Sequence, residues 1–250
     1  MIFVKWPAVV IASNLLIGVG GASAPFTAKM SIILPINRRV TKEMQIIRET
    51  IDTIDYYNKN STDFITAYDA VDMSAFHAVL QKNLPPRSKI LDVGFGSGRD
   101  LFYLRKNGFS VWGVDPSEKF VMNVKKRFMD ISEHFFISSL PHLEMPVKYQ
   151  SFFDAIILVA VWMHLPKEEY SASIKRLRNL LKPNGIIVLS YSITERQEEE
   201  MRFFEQVNGG ELQEIFGDLG FSKVNSTTNA DALNDREIVW ATEVYLYDQF

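Results

Sequence analysis

Residues 90–100 read Ile-Leu-Asp-Val-Gly-Phe-Gly-Ser-Gly-Arg-Asp. An acid, Asp92, sits in a short apolar strand, and three glycines follow at every second position before a helix. Glycine lets the backbone turn sharply and approach a ligand closely at the carboxyl end of a strand. A dinucleotide fold would place its third glycine at position 99, the spacing that seats a pyrophosphate on the helix N-terminus, and position 99 is arginine. Asp115 ends the next apolar stretch, 21 residues beyond Gly94 in the sequence, where a carboxylate can accept both hydroxyls of a ribose. A nucleoside ligand without a pyrophosphate is favoured. The plainer readings are a tight strand-to-helix turn for the glycines and a helix cap beside Pro116 for Asp115.

The rest of the composition narrows the chemistry. The 250 residues are 47% apolar and carry 27 Lys/Arg against 30 Asp/Glu, a formal charge of -3. No basic excess exists to hold a polyanion by counterion release, so nucleic acid is not expected as a partner. The absence of cysteine excludes disulfides, thiolate metal sites and a cysteine nucleophile. His77, His134 and His142 are isolated and show no ligand spacing, so no metal is assigned.

The elements that must position Asp92 and Asp115 follow from the periodicity. Met44, Ile47, Ile51 and Ile54 at spacings of three and four predict an amphipathic helix from Thr41 to about Tyr57. An aromatic connection follows through Tyr56, Tyr57, Phe64 and Tyr68, then a helix from Ala75 to Leu84 that Pro85-Pro86 stops. Strands are expected at 89–93, 110–114, 135–138, 153–161 and 186–191. Helices lie at 100–107, 118–129 and 167–181 between them, and a further helix at 211–219 follows the last. Such alternation predicts parallel βαβ units in an open doubly wound sheet. The last two strands, 221–226 and 237–247, have only a turn-rich stretch between them and should pair antiparallel.

With strand-D-x-G-x-G-x-G, the acid ending strand two, Phe153-Asp154-Ala155-Ile156-Ile157, and Leu181-Lys182-Pro183-Asn184-Gly185 before strand five, the chain resembles a class I S-adenosylmethionine-dependent methyltransferase. The resemblance spans about Asp55 to the C-terminus. It implies an α/β, Rossmann-like seven-stranded sheet of order 3-2-1-4-5-7-6, with strand seven antiparallel and helices on both faces. It also implies S-adenosyl-L-methionine as cofactor. Asp92, Gly94, Phe95, Gly96 and Gly98 would then hold the methionine moiety and Asp115 the ribose. Pro116, Ser117, Ser139, Leu140 and Val159 complete the expected cofactor site. Ser138-Ser139-Leu140 stands where relatives often carry an acid toward the adenine amine.

Strand four delivers Val159 to Pro166 to the acceptor side. The Asp/Asn-Pro-Pro-Tyr/Phe motif of amino-methyltransferases acting on bases is missing there. The expected reaction is therefore methyl transfer to oxygen or nitrogen of a small-molecule acceptor; a protein or RNA methyltransferase, or a cofactor-binding protein without catalysis, are the rival readings. His164 is the candidate general base, because its pKa lies near neutrality; packing or a helix cap is its plainer role. Trp162 either walls the site or belongs to the core. The aromatic stretch from Tyr56 to Phe64 is either a lid over the cofactor or core. Arg196 and Arg202 either hold an anionic substrate or, beside Glu198-Glu199-Glu200, lie on an exposed helix. Asp231 to Arg236 reads as a solvated turn.

The domain expected is residues 41–250, with a helical cap at 41–84, behind an apolar leader at 1–40. In the leader, Lys5 is the only charge before residue 29. Ala22-Ser23-Ala24 fits a signal cleavage site, whereas Met30 and Met44 fit later starts. Because the donor is made in the cytosol, an idle leader or extended start is favoured, and with it a cytoplasmic location without stable membrane association.

Overall fold

The computed structural model describes residues 38–195, 202–231 and 237–248. Leader residues 1–37, Arg196, Glu198 to Glu200, and residues 232–236 of the expected final turn lie outside them, whereas residues 38–40 of the expected leader already belong to the first helix.

Three helices come first: α1 (Arg38–Lys59), α2 (Ser61–Asp69) and α3 (Ser74–Asn83). Then β1 (Lys89–Val93), α4 (Arg99–Lys106), β2 (Ser110–Asp115), α5 (Glu118–Arg127), β3 (Phe135–Ile137), β4 (Phe153–Val159), α6 (Tyr170–Leu180), β5 (Leu181–Ser192), α7 (Gly209–Asp218), β6 (Phe221–Ala230) and β7 (Val239–Tyr247) follow. The strands form one sheet in the order β3-β2-β1-β4-β5-β7-β6. Neighbours from β3 to β5 run parallel, and β7 is antiparallel to both β5 and β6. The expected fold class is therefore the observed one.

The sheet is covered on both faces, which is why β4 is apolar at consecutive positions rather than alternate ones. Ile90 packs with Leu80 of α3, Leu104 of α4 and Val124 of α5 on one face, while its neighbour Leu91 faces the core that holds Ile174 of α6 and Phe216 of α7. Ala155 to Leu158 of β4 are all fully buried. Each large apolar side chain so buried contributes roughly 1.5–3 kcal/mol. Trp162 is among them, 0% exposed and packed on Tyr170 and Phe216, so it belongs to the core and walls no site.

The N-terminal helices depart from the periodicity argument. The aromatic connection is not a loop; it forms the end of α1 and all of α2. Met44, Ile47 and Ile51 are exposed at 64%, 59% and 52%, while Thr53, two residues beyond Ile51 and so on another face, is buried. A helical stripe shows which residues share a face, but tertiary packing decides which face is covered.

Candidate active site

The carboxyl ends of β1, β2 and β4 meet beneath α1 and α2 around a cavity of about 480 Å³. Asp92, Gly94, Phe95, Gly96, Asp115, Pro116, Ser117, Ser139, Leu140, Val159 and His164 all line it. Gly98 does not. It begins α4 at φ 82°, and a Cβ there would stand 2.6 Å from Val124 Cγ2; its role is close packing of the turn against α5. Gly94 is similarly constrained, with φ 74° and a Cβ that would meet Val161 Cγ2 at 2.3 Å. The Phe95 side chain is buried beneath the turn, near Phe135 and directly over Gly113, where a Cβ would lie 2.5 Å from its ring. Gly113 is a glycine inside a strand, a sequence signal for such close approach.

Asp115 knits the turn together. Its Oδ2 accepts the Gly96 N–H at 2.8 Å and its Oδ1 accepts the Ser117 N–H at 2.8 Å. A carboxylate has about four acceptor positions, so each oxygen retains one for a ligand hydroxyl. Burial pushes the Asp115 pKa up to about 7, against the lowering effect of these two N–H groups. Asp92 is fully buried and neither oxygen has a hydrogen-bond partner among the described residues. Burial first, then the negative charges of Asp100 and Asp115, hold its pKa well above the usual carboxylate range, with Arg99 opposing. Such a buried, unsatisfied acceptor calls for a donor from a ligand. Asp100 shows the contrast: burial raises its pKa, but His77 Nε2 at 2.7 Å and Arg99 Nη2 at 2.8 Å outweigh that and hold it below the usual range.

The cap closes the other side. His164 Nδ1 lies 2.7 Å from the Phe203 carbonyl, and its Nε2 lies 2.9 Å from Tyr57 Oη. A carbonyl only accepts, so in the neutral ring Nδ1 carries the proton and Nε2 accepts from Tyr57. Tyr57 in turn hydrogen-bonds Tyr68; burial and this contact hold the Tyr68 hydroxyl well above its ordinary pKa. The Phe203 N–H donates to Thr53 Oγ1 on α1 at 2.9 Å.

Several cavity residues carry no local motif. Arg202 lines it, its guanidinium 5.0 Å from the Tyr56 ring and 5.1 Å from that of Phe204; the exposed-helix reading fails here because these aromatic rings enclose it. Asp231 is buried and lines the cavity as well, with Oδ1 accepting from Trp240 Nε1 at 3.0 Å. The solvated-turn reading therefore does not hold for Asp231: the β6–β7 pairing brings it against the indole. Tyr68 and Thr53 are visible in sequence only as members of a polar and aromatic run. Among the described residues no cluster of three or more His, Asp or Glu side chains could hold a metal, and no helix is long and apolar enough to cross a membrane.

A family model described as a methyltransferase domain matches residues 57–227. The chain is similar to an uncharacterized methyltransferase of Oceanobacillus iheyensis, 28% identical over 157 residues that make up 60% of this chain and 70% of that protein. It is 32% identical over 117 residues to a tRNA U34 carboxymethyltransferase of Idiomarina loihiensis, covering 44% of this chain but only 34% of that protein. In fold it is similar to the 1,6-didemethyltoxoflavin-N1-methyltransferase of Burkholderia thailandensis, solved with S-adenosylhomocysteine. That match has a TM-score of 0.65 and 18% identity, covering 91% of this chain and 94% of the other. With the family model spanning the glycine turn, the Asp115 loop and the His164 segment, this chain belongs to the methyltransferase domain family as an S-adenosylmethionine-dependent methyltransferase of class I.

Proposed function

We propose that the protein transfers the methyl group of S-adenosylmethionine to an oxygen or nitrogen of a small-molecule acceptor. The observation that carries this reading is that one cavity runs from Asp92 and Asp115 to His164 and Asp231 beneath a hydrogen-bonded cap. Its lining includes Asp92, Asp100, Asp115 and Asp231 against Arg99 and Arg202, a poor surface for a phosphate backbone. An RNA acceptor, suggested by the tRNA-modifying relative, is disfavoured for that reason.

The residues present fit the cofactor. Asp115 has accepting positions for the two ribose hydroxyls, and the unsatisfied Asp92 suits the methionine ammonium. Gly94 and Gly96 would leave the backbone open to that moiety, while Pro116, Ser117, Ser139, Leu140 and Val159, which line the same cavity, would hold the adenosine. The Phe95 ring packs below, so only its backbone is offered. When bound, the cofactor would supply a sulfonium methyl group, whose carbon an acceptor nucleophile attacks in line with the C–S bond that breaks, S-adenosylhomocysteine being the leaving group. The protein's part is then positioning and exclusion of water. His164 acts as base at one remove: a proton leaving the acceptor passes to Tyr57 Oη as the Tyr57 proton moves to His164 Nε2. The location is proposed to be cytoplasmic, where the donor is made.

Incubating the protein with cell-extract metabolites and methyl-labelled S-adenosylmethionine tests the reading. Label in a small-molecule product supports it. Label confined to RNA or protein overturns the acceptor class, and failure to bind either S-adenosylmethionine or S-adenosylhomocysteine overturns the cofactor assignment.

A further inference from the structure

We propose that Asn58 is a positioning residue for the cofactor site, tying cap helix α1 to Asp115 through Ser117 so that cofactor binding and seating of α1 are one coupled event. The proposal rests on the cofactor placement given above. Asn58 Oδ1 accepts the Ser117 hydroxyl proton at 2.8 Å and the Lys119 N–H at 3.3 Å. The first N–H groups of a helix have no partner within it. At α5, Ser117 Oγ takes that of Phe120 at 3.3 Å, and Asn58 supplies a second capping oxygen from another helix. With its proton committed to Asn58, the Ser117 hydroxyl presents a lone pair to Phe120. The Ser117 N–H donates to Asp115 Oδ1, and Asp115 Oδ2 accepts from Gly96.

A continuous chain thus runs from Asn58 through Ser117 and Asp115 to the glycine turn, and Ser117 and Asp115 are both buried. The same helix reaches the acceptor side through Thr53 and Tyr57. A ligand that firms the Asp115 carboxylate in place therefore firms the seat of α1, and by thermodynamic linkage the seated helix strengthens ligand binding by the same factor.

The test uses S-adenosylhomocysteine, calorimetry and amide hydrogen exchange on the full chain. In the parent protein, S-adenosylhomocysteine should slow exchange across residues 50–58. Asn58→Ala should weaken binding by about 5–10-fold, the loss of a half-buried hydrogen bond and the cap it supports, and abolish that slowing. Asn58→Ala combined with Ser117→Ala should bind much less weakly than the two single losses multiplied together, because the 2.8 Å contact is shared and only the longer bond to the Lys119 N–H is independent of Ser117. An unchanged dissociation constant in Asn58→Ala, or exchange at 50–58 indifferent to ligand in the parent, overturns the coupling. The exchange measurement on the parent needs no variant to fold. Absence of any binding by the parent would instead sink the cofactor assignment on which the proposal rests.

Discussion

The Asp115 carboxylate and the Gly96 amide are hydrogen-bonded at 2.8 Å across the gap between the end of β2 and the turn after β1. Two motifs that are 19 residues apart in sequence are thereby one physical unit. The turn holds the carboxylate in place, and the carboxylate gives the half-buried Gly96 amide its partner.

Asp115→Ala should therefore cost cofactor affinity twice, through the lost hydroxyl acceptor and through a loosened turn. A drop of roughly 10–100-fold in S-adenosylhomocysteine affinity is expected from contacts of this charge-assisted kind. Asp115→Asn, which keeps one acceptor oxygen, should lose less. Calorimetry decides it, and equal affinities in parent and Asp115→Ala would place the ribose elsewhere.

Because burial raises the Asp115 pKa to about 7, ligand affinity should climb as pH rises from 6 to 8 and the carboxylate ionises. The apoprotein should respond in the opposite sense. The folded state binds this proton more tightly than the unfolded chain, so stability contributed by Asp115 is full at low pH and declines between about pH 4 and 7. Asp92, also raised, adds to the decline, whereas Asp100 is held low and its stabilisation is lost only as pH falls below about 4. Thermal melts across pH 4–8, with and without S-adenosylhomocysteine, would show the ligand-induced rise in Tm growing toward pH 8. A ligand effect independent of pH would contradict the assignment.

Gly98 and Gly217 make a matched pair. Gly98→Ala combines a left-handed backbone with a Cβ 2.6 Å from Val124 and should destabilise by about 1–3 kcal/mol. Gly217 lies in α7 with nothing within 4 Å of an added Cβ. Gly217→Ala should be neutral or stabilising by up to about 1 kcal/mol. Urea titrations of both variants compare them directly, and a neutral Gly98→Ala would refute the packing role given to that glycine.

His164→Ala should slow methyl transfer to the acceptor found by the metabolite screen by roughly 10²–10⁴, far more than it weakens S-adenosylhomocysteine binding through the lost Tyr57 contact to α1. Tyr57→Phe should follow it, and the double variant should be no slower than the worse single one, since the two share one proton path. Additive losses would mean that His164 and Tyr57 act separately.

Much of the fold was legible because its signals are local. The apolar run of β4, the Pro85-Pro86 stop, the glycine turn and the spacing to Asp115 each depend on residues close in the chain. Together they specify the parallel core, and the short link between the last strands specifies their antiparallel pairing. Tertiary packing decided where a local pattern admits two answers. Met44, Ile47 and Ile51 form a helical stripe in either case, yet they are exposed, and Trp162, open in the sequence between site wall and core, belongs to the core.

The sequence by itself determined the sheet, the glycine turn and the acid that ends the next strand, since strand period and glycine backbone freedom act over a few residues. Only the tertiary structure decided what encloses the acceptor side. Arg202 among aromatic rings, Asp231 against Trp240, Tyr57 on His164 and Asn58 on Ser117 are contacts between segments far apart in the chain. Each depends on how helices and strands pack across the sheet, and no spacing within any one segment encodes that packing.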